Sequence, residues 1–221
     1  MKVILLGSTG MIGQGVLIEA LKDTRIESVL VINRQTVGIT HPKLTEIIHH
    51  DFYDLKPLKE QLSGYDTCLF CLGVSSVGMK EADYSKVTFE LTTYIAKELL
   101  NLNPTMTFCY ISGANTDSTE NGKVMWARVK GKTENALLSM NFKHAYMFRP
   151  GFIQPMKGIK SKTPLYKLLY DIFKPFYFLL KRYENFVTNT EILGKAMIKA
   201  AAEGYEKTIL ESIDINEIVK R

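Results

Sequence analysis

The chain has 221 residues, which is enough for one α/β domain with a sizeable core and too few for two full-sized domains. Hydrophobic residues make up 46% of the sequence and charged residues 23%, values that exclude an intrinsically disordered chain. The formal net charge is +5, and the Lys and Arg residues are dispersed rather than clustered. This distribution argues against a nucleic-acid-binding protein and suits a phosphorylated ligand.

Six short apolar segments alternate with longer amphipathic ones, a pattern typical of parallel strands connected by helices. The predicted strands are Val3–Leu6, Ser28–Asn33, Leu44–His50, Thr67–Leu72, Met106–Ser112 and Ala145–Arg149. The predicted helices between them are Met11–Leu21, Leu55–Leu62, Tyr84–Leu100 and Lys123–Met140. Because the strands are almost continuously apolar, we expect helices on both faces of the sheet. The sequence therefore predicts an α/β fold with a doubly wound parallel sheet.

The pattern changes after residue 150. An aromatic-rich segment, Thr163–Tyr183, is followed by a short extended piece, Asn185–Thr188, and a helix, Thr190–Glu203. Thr188, Asn189 and Thr190 offer capping side chains at the start of that helix. We expect one domain over residues 1–221, in which residues 151–221 form a small helical cap on the substrate side.

No segment has the length and apolarity of a membrane-spanning helix. The run Val3–Leu6 is too short for a signal peptide, and the stretch from Leu165 to Leu180 is interrupted by Lys167, Asp171 and Lys174. We therefore expect a cytoplasmic protein without stable membrane insertion.

Cys68 and Cys71 form a C-x-x-C pattern that could indicate a redox or zinc site. Both lie in a predicted buried strand, where residues three apart point to opposite faces of the sheet. The four histidines have no metal-ligand spacing among themselves. We expect buried free thiols and no metal site.

A glycine-rich loop directly follows the first predicted strand and opens the first predicted helix. It reads Gly7, Ser8, Thr9, Gly10, Met11, Ile12, Gly13, with the spacing G-x-x-G-x-x-G. Glycines at these positions permit a tight turn, admit a pyrophosphate to the backbone and bring helix against strand. The helix N-terminus then presents unpaired N–H groups to the phosphates. This motif predicts a Rossmann-type dinucleotide site; its alternative is a strand–helix turn that needs glycine only for packing.

Asn33 and Arg34 end the second strand, where NAD-preferring domains carry an acidic side chain for the ribose hydroxyls. A guanidinium at that point offers no acceptor to a ribose but binds a 2′-phosphate in a forked geometry. Ser8 or Thr9 could add a hydroxyl donor. We predict a preference for NADP(H) over NAD(H), the alternative being that Arg34 is a solvated residue at a strand end.

These features, taken with motifs at the ends of later strands, resemble the atypical short-chain dehydrogenase/reductases, and most closely the Tat-interacting, oxidoreductase-like group within them. The resemblance covers nearly the whole chain in order and spacing. Its motifs are Gly7–Gly13, Asn33-Arg34, Asp51, Cys71-Leu72-Gly73, Ser112-Gly113-Ala114, Val129-Lys130-Gly131 and Arg149-Pro150-Gly151.

The resemblance implies a role for each motif. Asp51 and Phe52 would lie beside the adenine, and Leu72 and Gly73 along the adenosine side of the cleft. Lys130 would bind the nicotinamide ribose, and Ser112 would polarise a substrate oxygen. The nicotinamide carboxamide would be bordered by Pro150, Gly151 and Phe152. A homodimer is a further expectation of the resemblance.

The chain departs from the family at the catalytic acid. The family has a tyrosine four residues before the lysine, one helical turn away on the same face, and this chain has Trp126 there. An indole N–H is a donor that does not titrate usefully, so it cannot pass a proton to an alkoxide. Tyr84, Tyr110 or Tyr146 could supply a proton from elsewhere. Taken alone, Ser112 and Lys130 could also be a turn serine and a solvated lysine.

Three functions stay open from the sequence. The first is an NADP(H)-dependent oxidoreductase acting on a small, partly apolar carbonyl or related compound, and the retained Ser112 and Lys130 favour it. The second is a catalytically weak or inactive NADP(H)-binding regulatory protein, which Trp126 favours. The third, a nucleotide-sugar epimerase, usually needs a larger C-terminal region than Gly151–Arg221. The aromatic segment Thr163–Tyr183 could be a lid, a core helix, a dimer face or a membrane contact, and we favour the first two.

Overall fold

The computed structural model describes residues 1–159 and 183–221. Nine strands lie in these ranges: β1 (Lys2–Leu6), β2 (Ser28–Asn33), β3 (Leu44–Ile48), β4 (Thr67–Phe70), β5 (Thr107–Ile111), β6 (His144–Arg149), β7 (Phe152–Gln154), β8 (Val187–Asn189) and β9 (Ile209–Glu211). Seven of them form one sheet in the order β3-β2-β1-β4-β5-β6-β9, with every neighbouring pair parallel. The other two, β7 and β8, pair in parallel as a separate small sheet.

Helices connect these strands. They are α1 (Met11–Lys22), α2 (Glu81–Ser85), α3 (Leu91–Leu102), α4 (Met125–Leu138), α5 (Thr190–Glu203) and α6 (Ser212–Ile218). A turn of 3₁₀ helix covers Lys56–Leu58, and a π-helical turn, Lys86–Glu90, joins α2 to α3. In the part of the chain that the structure describes, none of these helices has the length and apolarity needed to cross a bilayer.

The main sheet separates two hydrophobic layers because side chains alternate along each buried strand. Val3 and Leu5 face the layer covered by α1 and α5, whereas Ile4 and Leu6 face the layer covered by α3. Near-complete burial of β1, β2 and β4 explains their continuous apolar sequence. The predicted doubly wound parallel fold is confirmed.

Two glycines bring α1 and α5 into close contact. A Cβ atom on Gly15 would lie 2.6 Å from the Cβ of Thr190, and one on Gly194 would lie 3.2 Å from the Cα of Val16. Larger side chains would force the helices apart. The Asn189 side chain caps α5 by accepting a hydrogen bond from the Ile192 backbone at 2.8 Å.

The secondary structure differs from the sequence predictions in three places. The helix predicted over Leu55–Leu62 is a single 3₁₀ turn, because Pro57 lies within it. The helix predicted over Tyr84–Leu100 is split by the π-helical turn. Within residues 151–221, β9 extends the large sheet beside β6 and α5 covers one of its faces, so these two elements belong to the main architecture.

The strand order marks the edge of the sheet at which a ligand would bind. From β1, the chain adds β2 and β3 on one side of the sheet and then β4, β5 and β6 on the other side. The connections after β1 and β4 therefore diverge, and open α/β sheets bind ligands in the crevice at this point, outside the carboxyl ends of the strands.

Candidate functional site

The glycine loop lies at this crevice and is shaped by close backbone packing. Gly7 has a φ of +82°, and a Cβ there would be 2.6 Å from the backbone of Cys71 and Leu72 after β4. A Cβ on Gly13 would be 2.1 Å from the Gly7 carbonyl oxygen. Both positions therefore require glycine for the strand, the loop and α1 to meet. By contrast, a Cβ on Gly10 would have one near neighbour, the Gly7 oxygen at 3.3 Å.

The amino end of α1 points into the same crevice. Gly10 is its N-cap residue and supplies no side-chain cap, so the first N–H groups, beginning with Met11 and Ile12, have no intrahelical acceptor. The Thr9 carbonyl accepts a hydrogen bond from the Gln14 side chain at 3.1 Å, which fixes the loop against the first turn. This arrangement presents backbone donors and the positive end of the helix dipole to an anion.

A chain of side-chain hydrogen bonds links the glycine loop to the ends of β2 and β3. The buried Ser8 hydroxyl donates to Asn33 Oδ1 at 2.9 Å, and Asn33 Nδ2 donates to Glu46 Oε1 at 2.8 Å. The Glu46 carboxylate also accepts from the Thr36 hydroxyl at 2.6 Å and from the Val37 backbone at 2.9 Å. Asn33 therefore faces inward, and the loop after Arg34 is tied to β3.

Glu46 is a residue that the sequence analysis missed. Burial of the carboxylate opposes ionisation, but the hydrogen bonds from Thr36, Asn33 and Val37 outweigh it and lower the pKa of Glu46 below its usual 4.5. The sequence feature that could have identified Glu46 is its position as a single acidic residue in the largely apolar strand β3. This strand is the neighbour of β2, which ends at the position predicted to distinguish NADP(H) from NAD(H).

The other adenosine-side predictions occupy the expected edge with different exposures. Arg34 and Asp51 are exposed, whereas the Phe52 side chain is 8% exposed and packs in the core on the α3 face. Leu72 is half-buried beside Gly7, and Gly73 is exposed with open space around the position of a Cβ. A groove of about 230 Å³ lies between α1 and the loop after Arg34, lined by Ser8, Thr9, Gln14, Gln35, Thr36 and Ile39, among others.

On the other side of the crevice, Ser112 and Lys130 meet at the end of β5. The Lys130 ammonium donates to the Ile111 carbonyl at 3.1 Å and lies 5.2 Å from the centre of the Tyr110 ring. The Ser112 hydroxyl donates to the Phe148 carbonyl at 3.1 Å. Burial lowers the pKa of Lys130 to about 8 in spite of the opposing charge of Glu134.

Trp126 lies on the same face of α4, one turn before Lys130. Its ring atom Cζ3 would be 3.8 Å from a Cβ on Gly113, so the indole covers the turn that follows Ser112. Gly131 explains how α4 approaches so closely, since a Cβ there would lie 1.8 Å from the Asp117 carbonyl oxygen. Ser112, Trp126 and Lys130 are thus brought together.

The segment Pro150, Gly151, Phe152 completes this side. Pro150 is buried, and its carbonyl accepts a hydrogen bond from the Ala114 backbone at 2.9 Å. A Cβ on Gly151 would be 2.4 Å from the Phe186 carbonyl oxygen, which also accepts the Phe152 N–H at 2.9 Å. The predicted carboxamide border is therefore a tight turn between β6 and the β7–β8 sheet.

A buried ion pair fixes α4 to β6. The Arg149 guanidinium donates from Nε to both Glu134 oxygens, at 3.0 and 3.1 Å, and Nη2 also contacts Glu134. Arg149 Nη2 donates further to the Ser118 hydroxyl at 2.6 Å, so the loop before α4 joins the pair. This pair holds the helix that carries Trp126 and Lys130.

The sequence also raised a redox site or a zinc site at Cys68 and Cys71, and the described residues bear on both. Cys68 packs on the α3 face and Cys71 against the α1 face, which confirms the predicted opposite orientation, and burial raises the pKa of both thiols. Across residues 1–159 and 183–221, no group of three or more His, Cys, Asp or Glu side chains could hold a metal ion. The aromatic segment Thr163–Tyr183 lies outside the described residues except for Tyr183, which is exposed.

Comparison with solved structures gives the same fold. The WbmF enzyme of Bordetella bronchiseptica in complex with NAD+ has a TM-score of 0.67 and 14% identity, covering 98% of this chain and 76% of that one. MoeE5 in complex with UDP-glucose and NAD has a TM-score of 0.68 and 13% identity, covering 95% and 74%. A short-chain dehydrogenase/reductase from Saccharomyces cerevisiae has a TM-score of 0.65 and 11% identity, covering 98% of both chains. The predicted resemblance to short-chain dehydrogenase/reductases is confirmed at the level of the fold.

Sequence comparison finds curated fungal relatives, while no protein-family model matches. The chain is 23% identical to the mitochondrial protein FMP52-1 of Scheffersomyces stipitis over the whole of both chains. It is 26% identical to the mitochondrial protein fmp-52 of Neurospora crassa, covering 89% of this chain and 84% of that one. A mitochondrial fmp52-2 from Aspergillus terreus is 27% identical over 74% and 71%.

These relatives correct the predicted location. All five curated relatives found are named mitochondrial, so the expectation of a cytoplasmic protein is wrong. The expectation rested only on the lack of a signal-peptide or membrane-spanning pattern, which does not identify a compartment.

Proposed function

We propose that this chain binds NADP(H) in preference to NAD(H) and uses it as an oxidoreductase of the short-chain dehydrogenase/reductase type. One observation carries the proposal: a Cβ on Gly10, at the amino end of α1, would meet a single atom, the Gly7 oxygen at 3.3 Å, whereas Cβ atoms on Gly7 and Gly13 would collide with backbone atoms. This less crowded position lies where a pyrophosphate would meet unpaired N–H groups. The solved neighbours in complex with NAD+ or NAD support a nicotinamide dinucleotide as the ligand.

In this proposal the residues of the cleft divide into two groups. The adenosine half would be formed by Gly7, Ser8, Thr9, Gly10, Met11, Ile12, Gly13, Asn33, Arg34, Asp51, Phe52, Leu72 and Gly73, the nicotinamide half by Ser112, Trp126, Lys130, Pro150, Gly151 and Phe152. Since the Phe52 side chain is buried, its backbone would make the adenine contact. The bound dinucleotide would supply the hydride, and the protein would orient it and exclude water.

The preference for NADP(H) rests on Arg34. Its side chain is exposed at the end of β2, beside the groove that Thr9, Gln35 and Thr36 line. Asn33, at the position where an acid would bind the ribose hydroxyls, instead gives both ends of its amide to Ser8 and Glu46. A guanidinium with a neutral neighbour favours an added phosphate on the ribose.

The test is a titration of NADPH and NADH by calorimetry, followed also by the fluorescence of Trp126, the single tryptophan. Arg34→Glu removes a charge-assisted contact worth roughly 1.5–3 kcal/mol, so its affinity for NADPH should fall by about 10- to 100-fold. Its affinity for NADH should stay within about 3-fold of the parent's affinity. Lys143→Glu, an equal charge reversal on an exposed residue at the amino end of β6, is the control.

The outcomes separate the parts of the proposal. No heat with either dinucleotide contradicts the whole of it. Unchanged NADPH affinity in Arg34→Glu, with clear binding in the parent, contradicts only the preference for NADP(H).

We further propose a small, partly apolar carbonyl compound as the substrate. Val74 and Val77, after β4, and Val124, before α4, are 45%, 69% and 52% exposed. Because β4 and α4 both border the cleft, these exposed side chains offer apolar surface to a ligand. Turnover of NADPH against a panel of aldehydes, ketones and quinones tests this substrate class.

A second candidate function is an NADP(H)-binding regulatory protein with little or no turnover. The observation that favours it is Trp126, which stands at the position of the family's catalytic tyrosine and covers Gly113. Tight NADPH binding without turnover on any compound of the panel would support it. The homodimer remains a prediction.

For the location, we propose mitochondria, following the names of the curated relatives. Imaging of a carboxyl-terminal fluorescent fusion beside a mitochondrial dye tests it, and a diffuse signal outside mitochondria would contradict it.

A further inference from the structure

The nicotinamide half needs a proton donor if a carbonyl is to be reduced, and the obvious candidates are unsuitable. The indole of Trp126 does not titrate. Tyr84 and Tyr110 are 2% and 1% exposed, and burial raises the pKa of Tyr110. The hydroxyl of Ser112 already donates to the Phe148 carbonyl.

The remaining charged residues of α4 are directed elsewhere. Arg128 pairs with Glu81 at 2.6 Å, and Lys132 lies 4.4 Å from the centre of the Phe89 ring. Glu134 is fully buried against Arg149. In the described part of α4, Lys130 is therefore the titratable side chain that reaches the turn formed by Ile111, Ser112 and Gly113.

We propose that Lys130 itself delivers the proton to the substrate oxygen at this site. The inference rests on the proposed oxidoreductase function and adds the identity of the acid. It assigns to the amine a step that the family gives to a tyrosine.

The geometry leaves the ammonium available for this step. An ammonium has three N–H donors, and the Ile111 carbonyl takes one of them at 3.1 Å. The same ammonium lies over the Tyr110 ring, 5.2 Å from its centre, at the end of β5. Two N–H groups can then face a substrate oxygen or a ribose hydroxyl.

The groups around Lys130 set its acidity. Tyr110 faces it from β5 and interacts electrostatically with Tyr84 of α2. Glu134 lies one turn further along α4, with Arg149 of β6 as its partner. Desolvation lowers the pKa of Lys130 to about 8, and the attraction of Glu134 offsets this only in part. A donor with a pKa near the working pH is the most efficient general acid.

The proposed step balances as a two-electron reduction. A bound reduced nicotinamide would supply the hydride that forms the new C–H bond at the carbonyl carbon, and the C=O π electrons would move to oxygen. One N–H bond of Lys130 breaks as the O–H bond of the alcohol forms. The neutral amine then regains a proton from water before the next turnover.

The first experiment measures the amine without cofactor. Each lysine of the intact protein is labelled competitively with acetic anhydride between pH 6 and 11, and the extent of labelling is read by mass spectrometry. The reactivity of Lys130 should reach its half-maximum near pH 8. A half-maximum at the ordinary lysine pKa of about 10.4 would overturn the proposal.

The second experiment uses the complete site. Lys130→Arg keeps the charge and the donors but cannot release its proton near neutral pH, so kcat for NADPH-dependent reduction should fall by about 10²- to 10⁴-fold. Its NADPH affinity should stay within about 5-fold of the parent, and Lys132→Arg should leave kcat unchanged. In Trp126→Tyr/Lys130→Arg, a phenol placed one turn earlier should recover part of the lost kcat.

Each result has a defined meaning. An unchanged kcat in Lys130→Arg, or NADPH binding by the parent without turnover on any carbonyl of the panel, overturns Lys130 as the acid. A parent that binds neither dinucleotide defeats the proposed function, and the labelling profile shows separately whether the amine has the required acidity. A kcat for the parent that falls as pH rises through about 8, lost in Trp126→Tyr/Lys130→Arg, supports the proposal.

Discussion

The two halves of the cleft are built by different means. The adenosine half is defined by backbone: Gly7 and Gly13 pack so closely that a single added carbon would collide with main-chain atoms. The nicotinamide half is defined by side chains, above all by the Arg149–Glu134 pair that holds α4 and by the residues that α4 carries. Backbone packing restricts the residue type to glycine, whereas side-chain packing allows one side chain to be exchanged for another. In the proposed function, this difference would let the glycine loop keep its form while Trp126 takes the position of a catalytic tyrosine.

The largest effect should come from breaking the buried pair of the nicotinamide half. Arg149→Met leaves the fully buried Glu134 carboxylate without its partner, which should lower the free energy of unfolding by about 3–5 kcal/mol. Urea denaturation measures it. The double variant Arg149→Met/Glu134→Leu removes both charges and should regain most of the loss. A double variant no more stable than the single one would contradict a dominant role for the unpaired charge.

A smaller effect should separate packing from binding in the adenosine half. Gly13→Ala places a methyl group 2.1 Å from the Gly7 carbonyl oxygen and should cost roughly 1–3 kcal/mol of stability. Gly10→Ala meets one atom, at 3.3 Å, and should fold normally but lose NADPH affinity by 10-fold or more, because its methyl group occupies the approach of the pyrophosphate. Thermal unfolding and calorimetry distinguish the two. Equal loss of stability in both variants would contradict the difference in steric crowding between Gly13 and Gly10.

The smallest of these effects concerns Glu46, which accepts hydrogen bonds from three residues in the adenosine half. Glu46→Ala removes the hydrogen bonds of Asn33, Thr36 and Val37 and should cost about 1–2 kcal/mol at pH 7, with a reduced preference for NADPH over NADH. Thr45→Ala, on the exposed neighbouring position of β3, is the control.

The pH dependence of this effect follows from the lowered pKa of Glu46. Its stabilisation is complete above the unfolded value of about 4.5 and is lost as pH falls through the lower folded value. The difference in stability between the parent and Glu46→Ala should therefore shrink below pH 4.5. A difference that stayed constant from pH 7 to pH 3.5 would contradict the hydrogen-bonded carboxylate.

The sequence predicted the backbone-defined half better than the other. Strand ends, the glycine spacing and the opposite faces of Cys68 and Cys71 follow from local periodicity, and they agree with the structure. The Ser8–Asn33–Glu46 chain could not be predicted in this way, because its three members come from three different elements and acquire their roles only when β1, β2 and β3 are adjacent. The resemblance placed Lys130 near Ser112, but the burial that lowers its pKa arises only when α4 packs against the end of β5.

The contact between Gly15 and Thr190 has a mechanical consequence. The helix whose first turn faces the crevice is in direct contact, through Gly15, with the residue that begins α5, and the hydroxyl of that same Thr190 accepts the Met156 N–H at 3.0 Å. Gly15 and Met156, distant in sequence, are thus joined through one threonine. The segment after Gln154 is therefore connected to α1 by a packed path that lies outside the crevice.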